Sequence, residues 1–241
     1  MNHARRRALI LTFIVLVAAA LLAVVALRRA PTSLPARSPA ARPPLLLLTS
    51  LPLLFSDQFS LAGGSPAVKR LEERYTLVPI SVTDPTELAK GRLLLMAHPL
   101  AQPADDLVAL DDWVRRGGRV LLLADPMLEW PSNRPLGDPL RPPPMFMDTG
   151  LLAHWGLRLD APDERGPVMR KLGGFDILTV SPGSLSGRCS ISSDRLVAHC
   201  AVGHGEATVV ADADLLNADA LGRAASHDLD GVLSELARLE Q

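Results

Sequence analysis

The sequence predicts an α/β domain built on a largely parallel sheet with helices on both faces, and three observations predict it. Leu45–Leu48 and Arg119–Ala124 are apolar runs too short for helices, the pattern of strands buried on both faces. Ala104–Arg116 is amphipathic, with Leu107, Leu110, Trp113 and Val114 at helical spacing, and Gly117 and Gly118 end it. Strand, helix, glycine stop and strand in that order imply right-handed crossovers and a parallel sheet.

The domain is reached through an apolar leader. After a short basic tail, residues 1–8 with Arg5, Arg6 and Arg7, the nineteen residues Leu9–Leu27 carry no charge and one hydroxyl, Thr12. A helix of that length rises roughly 28 Å, close to the ~30 Å hydrocarbon core of a bilayer. Arg28 and Arg29 follow where a cleavage site needs small residues, so residues 9–27 are expected to be an uncleaved transmembrane signal anchor. Arginines on both sides leave its orientation undecided by charge. Residues 28–44 hold Pro31, Pro35, Pro39, Pro43 and Pro44 and read as an extended stalk. Residues 45–241 form the ectodomain, long enough for one α/β domain with a sizeable core.

Composition narrows the partners. A formal net charge of −1, with arginine spread along the chain, gives no basic footprint for nucleic acid. Aromatic residues make up 4% of the chain and Tyr75 is its one tyrosine, which argues against stacking platforms for bases or sugars.

Within the ectodomain, Ser65 and Pro66 supply an N-cap and first residue for a helix to about Arg74. Thr76–Val82 and Leu93–Ala97 read as strands, the second ending at His98 and Pro99. From Asp125 to Pro144 seven prolines define a long surface loop. A short helix at Leu151–Trp155 and a strand at Leu157–Leu159 follow. Phe175–Val180, Cys189–Ser192 and Leu196–Cys200 read as an antiparallel meander, Ala207–Ala211 as a core strand, and Leu229–Leu239 as a closing amphipathic helix.

Cys189 and Cys200 are the two cysteines of the chain, and a turn at Asp194 and Arg195 sets them directly opposite each other. They are either a disulfide, which places the domain in an oxidising compartment such as the periplasm, or two buried thiols.

Ligands of open α/β sheets bind beyond the carboxyl ends of the strands. Those ends carry His98, Asp125, Asp212 and Asp214, groups able to bind a metal or activate water. The competing role of an Asp at a strand end is to accept backbone N–H bonds from the following turn. No G-x-S-x-G or G-x-C-x-G nucleophile turn occurs. Gly183-Ser184 and Gly187-Arg188-Cys189 belong with turn chemistry. His199 and His204 beside Cys200 fall short of the three or four ligands of a zinc site. Gly63-Gly64-Ser65-Pro66 lacks the Lys-Ser/Thr of a phosphate loop and the dinucleotide G-x-G-x-x-G.

Three segments together resemble a known group. "LLLLTSLPLLFS" from Leu45, "LDDWVRRGGRVLLLADP" from Leu110 and "GEATVVADADLLNADAL" from Gly205 resemble the GldG family of gliding-motility and ABC-transporter-associated proteins. "HDLDGVLSELARL" from His227 is similar to the helix after that family's last strand. The resemblance implies a flavodoxin-like, class I glutamine-amidotransferase-like domain, also seen in intraflagellar-transport and oligosaccharyltransferase subunits, whose members act as non-catalytic scaffolds or auxiliary subunits. The chain departs from the longer transporter-associated proteins in having one N-terminal span and no C-terminal one.

The resulting expectation is a single-pass protein of a bacterial inner membrane with a periplasmic ectodomain. It binds an envelope or ABC-transporter protein, without metal, cofactor or catalytic residue. Met127, Trp130, Met145 and Phe146, bulky groups in or beside the proline-rich loop, are the candidate anchors for that partner. The alternatives are a carboxylate- or metal-dependent hydrolase using Asp125, Asp212 and His98, and a small-ligand sensor with a cavity at the same rim.

Overall fold

The computed structural model describes Thr12, Phe13, Val17 and residues 32–54, 64–217 and 225–241. It divides into two units, residues 1–33 and residues 34–241. In the first, Thr12, Phe13 and Val17 are helical. The expected span at 9–27 otherwise lies outside the described residues, among which no helix is long and apolar enough to cross a membrane.

In the second unit, β1 (Pro44–Thr49) leads to α1 (Pro66–Glu72), β2 (Thr76–Pro79), α2 (Pro85–Leu88), β3 (Leu93–Ala97), α3 (Ala104–Arg115) and β4 (Arg119–Leu123). After the proline-rich loop come α4 (Leu151–His154), β5 (Leu157–Asp160), β6 (Pro167–Leu172), β7 (Phe175–Val180), β8 (Ser184–Gly187), β9 (Ser190–Ile191), β10 (Val197–Val202), β11 (Gly205–Val210) and α5 (Ala225–Leu239). The architecture is mixed α/β. Its central sheet has seven strands in the order β2-β1-β3-β4-β11-β10-β9, parallel from β2 through β11.

Right-handed crossovers from β1 leftward to β2 and rightward from β2 to β3 and β4 put α1 on one face and α2 and α3 on the other. The packing agrees: α1 meets α5, and α2 meets α3. With both faces covered, the middle strands have no polar side. Leu45–Leu48, Leu93–Ala97 and Val120–Ala124 are all buried, each large side chain removed from water contributing roughly 1.5–3 kcal/mol.

The local signals explain most boundaries. Ser65 Oγ accepts the Val68 N–H at 3.3 Å and starts α1. Gly117, at φ +108°, follows the end of α3 in a conformation that side-chain-bearing residues avoid. Four expectations are corrected. The second strand stops at Pro79 rather than Val82, because Asp84 caps α2 through the Glu87 N–H at 2.8 Å and Pro85 opens it. Phe175–Val180 is not part of a meander with the cysteine strands; it pairs with Pro167–Leu172 about the Gly173-Gly174 turn. Ser184–Gly187 is a further strand, paired with β5. The segment expected to stand off as a stalk lies along the domain from Leu34 onward. Leu34 packs on the core, the Arg37 N–H donates to Glu73 O at 2.8 Å, and Arg74 Nη1 donates to Pro35 O at 2.6 Å.

At the sheet's far edge, His199 pairs with Ser190, and the next step of that register sets Cys200 opposite Cys189. The two are joined in a disulfide with their Cα atoms 4.8 Å apart. Gly205 starts β11 under the end of α3, where an added Cβ would lie 2.0 Å from Val114 O and 2.3 Å from Gly118 O. Gly205→Ala is therefore expected to cost about 3 kcal/mol or more, read as a fall in the urea midpoint with unchanged slope. A variant within about 0.5 kcal/mol of the parent would refute this packing.

Candidate functional site

The carboxyl ends of the parallel strands form a rim whose switch point lies between β1 and β3, where the strand order reverses. Here Thr49 Oγ1 donates to Ala97 O at 2.9 Å and Ser50 Oγ to His98 O, tying the two strand ends together. His98, fully buried and at φ +47°, leaves β3 through its N–H to Leu123 O at 2.9 Å. Its Nε2 donates to Pro143 O at 2.9 Å, which fixes Nδ1 as the bare nitrogen, and Nδ1 has no hydrogen-bond partner among the described residues. Burial lowers the His98 pKa against the opposing effect of the Pro143 carbonyl, so the ring is neutral.

Asp125, Asp212 and Asp214 are brought together; His98 is not bonded to any of them. Asp125 Oδ1 accepts the Met127 N–H at 2.8 Å and Oδ2 the Ala213 N–H at 2.9 Å. Asp212 Oδ1 accepts Leu215 N–H and Oδ2 accepts Val180 N–H, each at 2.9 Å. Asp214 Oδ2 accepts the Glu129 N–H at 2.8 Å. Both oxygens of Asp125 and of Asp212 thus face backbone donors, the geometry of strand-end carboxylates that organise turns. Among the described residues no group of three or more His, Cys, Asp or Glu is placed to hold a metal ion.

Two residues that sequence reasoning missed complete the network. Glu129 Oε1 accepts from Ser181 Oγ, and Ser181 Oγ accepts the Gly166 N–H at 2.8 Å. Neither sits in a recognisable motif, because their meeting depends on how the proline-rich loop folds back. That loop is clamped over the rim: Leu128 N–H donates to Pro144 O at 3.0 Å and Phe146 N–H to Asp125 O at 2.6 Å.

The clamp sorts the candidate partner residues. Trp130 and Phe146 pack against the core, and Met127 is half-buried. Met145 is exposed. Leu136 and Leu140, at 85% and 66% exposure, occupy the loop's outer part, with Met147 beside Met145 also in solvent. The outer part is itself ordered by Asp138, which accepts the Leu140 N–H at 2.8 Å and lies 3.6 Å from Arg134.

Burial dominates the electrostatics of the rim. It raises Asp125 to about 6 despite the N–H bonds from Ala213, Met127 and Asp214. Asp214 rises to about 7 through burial, with Asp125 and Glu129 adding to it. Asp212 is pushed well above the usual range by burial and by the Asp125 charge.

No protein-family model matches the chain, and no curated protein matches it. Solved structures do. The mmIFT52 N-terminal domain aligns with a TM-score of 0.50 at 14% identity, over 80% of this chain and 97% of that one. The cytoplasmic protein STM1381 from Salmonella typhimurium LT2 aligns at 0.48 and 11% identity, over 81% of this chain and 99% of that one. The exo-β-1,4-mannosidase Op5Man5 from Opitutaceae bacterium strain TAV5 aligns at 0.47 and 15% identity over 78% of this chain, which spans 35% of the mannosidase. At such identity the likeness to the mmIFT52 domain is one of fold alone.

The raised pKa values fix a sign for stability against pH. A carboxyl that ionises at higher pH in the folded than in the unfolded chain stabilises the fold fully below the unfolded value near 4, and that contribution is lost as pH rises through the folded value. Stability is expected to fall between about pH 4 and pH 7, with Asp214 alone contributing on the order of 3 kcal/mol. Urea midpoints at pH 5 and 7.5 measure it. Asp214→Asn keeps an acceptor for the Glu129 N–H and is expected to flatten the difference; a variant with the parent's full pH slope would remove Asp214 from the account.

Proposed function

We propose that this chain is a non-catalytic scaffold or auxiliary subunit that works by protein–protein binding, with its exposed proline-rich loop as the contact. The observation that carries the reading is the use of the rim carboxylates. Asp125 and Asp212 spend both oxygens on backbone N–H groups and Asp214 spends one, and through Met127 and Glu129 two of these bonds hold the loop in place. A rim occupied in this way positions a surface. That surface carries Leu136, Leu140, Met145 and Met147, apolar side chains held in solvent by an ordered turn.

The finer reading follows the GldG resemblance: a flavodoxin-like, class I glutamine-amidotransferase-like ectodomain serving an envelope or ABC-type transport system. The fold likeness to the mmIFT52 N-terminal domain supports its architectural half. The apolar run at 9–27 supports a single-pass anchor in a bacterial inner membrane, and the Cys189–Cys200 bridge supports a periplasmic location. Affinity purification of the full chain from membranes tests the partner class: ATPase and permease subunits support the transporter reading, and their absence counts against it. Leu136→Asp with Leu140→Asp is expected to leave stability within about 0.5 kcal/mol of the parent while releasing the partner. Retention of the partner by the doubly charged loop would move the contact elsewhere.

One observation favours the hydrolase alternative, the upward shift of Asp125 and Asp214 into the range of a general acid. Turnover of ester, amide or phosphoester substrates by the purified chain, abolished by Asp125→Asn, would establish that reading in place of the scaffold.

A further inference from the structure

Side-chain sulfur is the readiest target of mild oxidants, and in this chain it is left to methionine. Both cysteines are bridged, so no free thiol takes up an oxidant first. Among the described residues the thioethers fall into distinct environments. Met96 is 2% exposed within β3, and Met127 is half-buried where its N–H meets Asp125. Met145, Met147 and Met169 are 50%, 53% and 58% exposed. Met169 lies on β6, whereas Met145 and Met147 flank Phe146 at the end of the proline-rich loop.

The pair is held from both sides. Before it, Pro144 O accepts the Leu128 N–H at 3.0 Å. After it, Asp148 Oδ1 accepts the N–H groups of Gly150 at 3.0 Å and Leu152 at 3.3 Å, at the start of α4. Between the two methionines, Phe146 donates its N–H to Asp125 O at 2.6 Å and packs against the core. With Phe146 turned inward, its two neighbours reach solvent from an anchored backbone. An oxygen atom added to either side chain is therefore hydrated. At Met96 the same atom would be buried among apolar strands, where a polar group costs free energy unless it is hydrogen-bonded.

We infer that Met145 and Met147 form a paired site of reversible oxidation, through which a peroxide turns the outer face of the proline-rich loop from apolar to polar without unfolding the domain. The thioether sulfur attacks one oxygen of hydrogen peroxide with its lone pair and the O–O bond breaks. The transferred oxygen gives its proton to the departing hydroxide, so the products are methionine sulfoxide and water. Sulfur is oxidised by two electrons and the peroxide is reduced by two. The Cys189–Cys200 bridge fits a compartment in which such oxidants are met. The sulfoxide is polar, so a face that binds through apolar side chains loses contact there. This consequence for binding rests on the proposal that the loop is the contact; the oxidation does not.

The test treats the folded full chain with hydrogen peroxide and follows each methionine by peptide mass spectrometry at partial conversion. Met145 and Met147 are expected to gain oxygen at least about ten-fold faster than Met96, which is reached only when β3 opens, with the urea midpoint unchanged. Labelling of residues 134–149 by a water-soluble aryl diazirine, read in the same peptides, is expected to drop on oxidation and to recover after methionine sulfoxide reductase treatment. Met145→Leu/Met147→Leu keeps the face apolar without its sulfurs and is expected to abolish the drop; Met169→Leu is expected to retain it. Uptake at Met145 and Met147 no faster than at Met96, a lowered urea midpoint, or a drop that persists in the double variant would each overturn the inference. Recovery of membrane partners reports on the contact reading separately. Equal recovery by oxidised and untreated chain, with uptake and the labelling drop intact, would move the contact elsewhere and leave the oxidation site supported.

Discussion

Carboxylates taken out of water at the ends of parallel strands are the constraint around which this domain is arranged. A buried carboxylate is costly unless donors surround it, and here the donors are backbone N–H groups of segments that have no other reason to meet. Asp125 joins β4 to the turn after β11; Asp212 joins that turn to β7; Asp214 reaches Glu129 in the loop. The bonds satisfy the charges and at the same time hold together the rim, the β6–β7 hairpin and the proline-rich loop. Burial still wins over hydrogen bonding in setting their protonation, which is why all three ionise above the usual range.

Around that constraint the two edges of the sheet have acquired different characters. The carboxyl edge is acidic, closed by its own loop and ordered by internal bonds. The amino edge gathers Arg92, Arg116 and Arg119, because residues opening adjacent parallel strands are forced into neighbouring positions. Beyond β11 the sheet changes sense: β10 and β9 run antiparallel, and the Cys189–Cys200 bridge fastens the short last strand. A two-residue strand has little ladder of its own, so the covalent link stands in for hydrogen bonds that are not there.

Legibility in the sequence tracked how local the determining physics is. β1, β3, β4 and α3 were readable to within a residue or so, since a run of leucines with both faces buried, or an amphipathic repeat closed by Gly117-Gly118, constrains the backbone without reference to distant residues. Pro167–Leu172 was not, because its alternation carries Arg170 and Lys171 on a half-exposed hairpin; the Gly173-Gly174 pair was the available signal. Asp84-Pro85 with Glu87 likewise announced α2. Among the site residues, Asp125 and Asp212 were visible as strand-end acids. Glu129 and Ser181 were not, and the loop residues that face inward, Trp130 and Phe146, were indistinguishable by composition from the outward Leu136 and Leu140.

The sequence by itself determined a parallel α/β core through β1, β3, α3 and β4 and the pairing position of the two cysteines, since hydrophobic period and turn chemistry act over a few residues. Tertiary structure alone decided which way the proline-rich loop folds, which carboxylates share a donor set and which arginines share an edge. Those outcomes rest on bonds between groups as far apart as Asp125 and Ala213, 88 residues along the chain, and no local pattern encodes a partner at that distance.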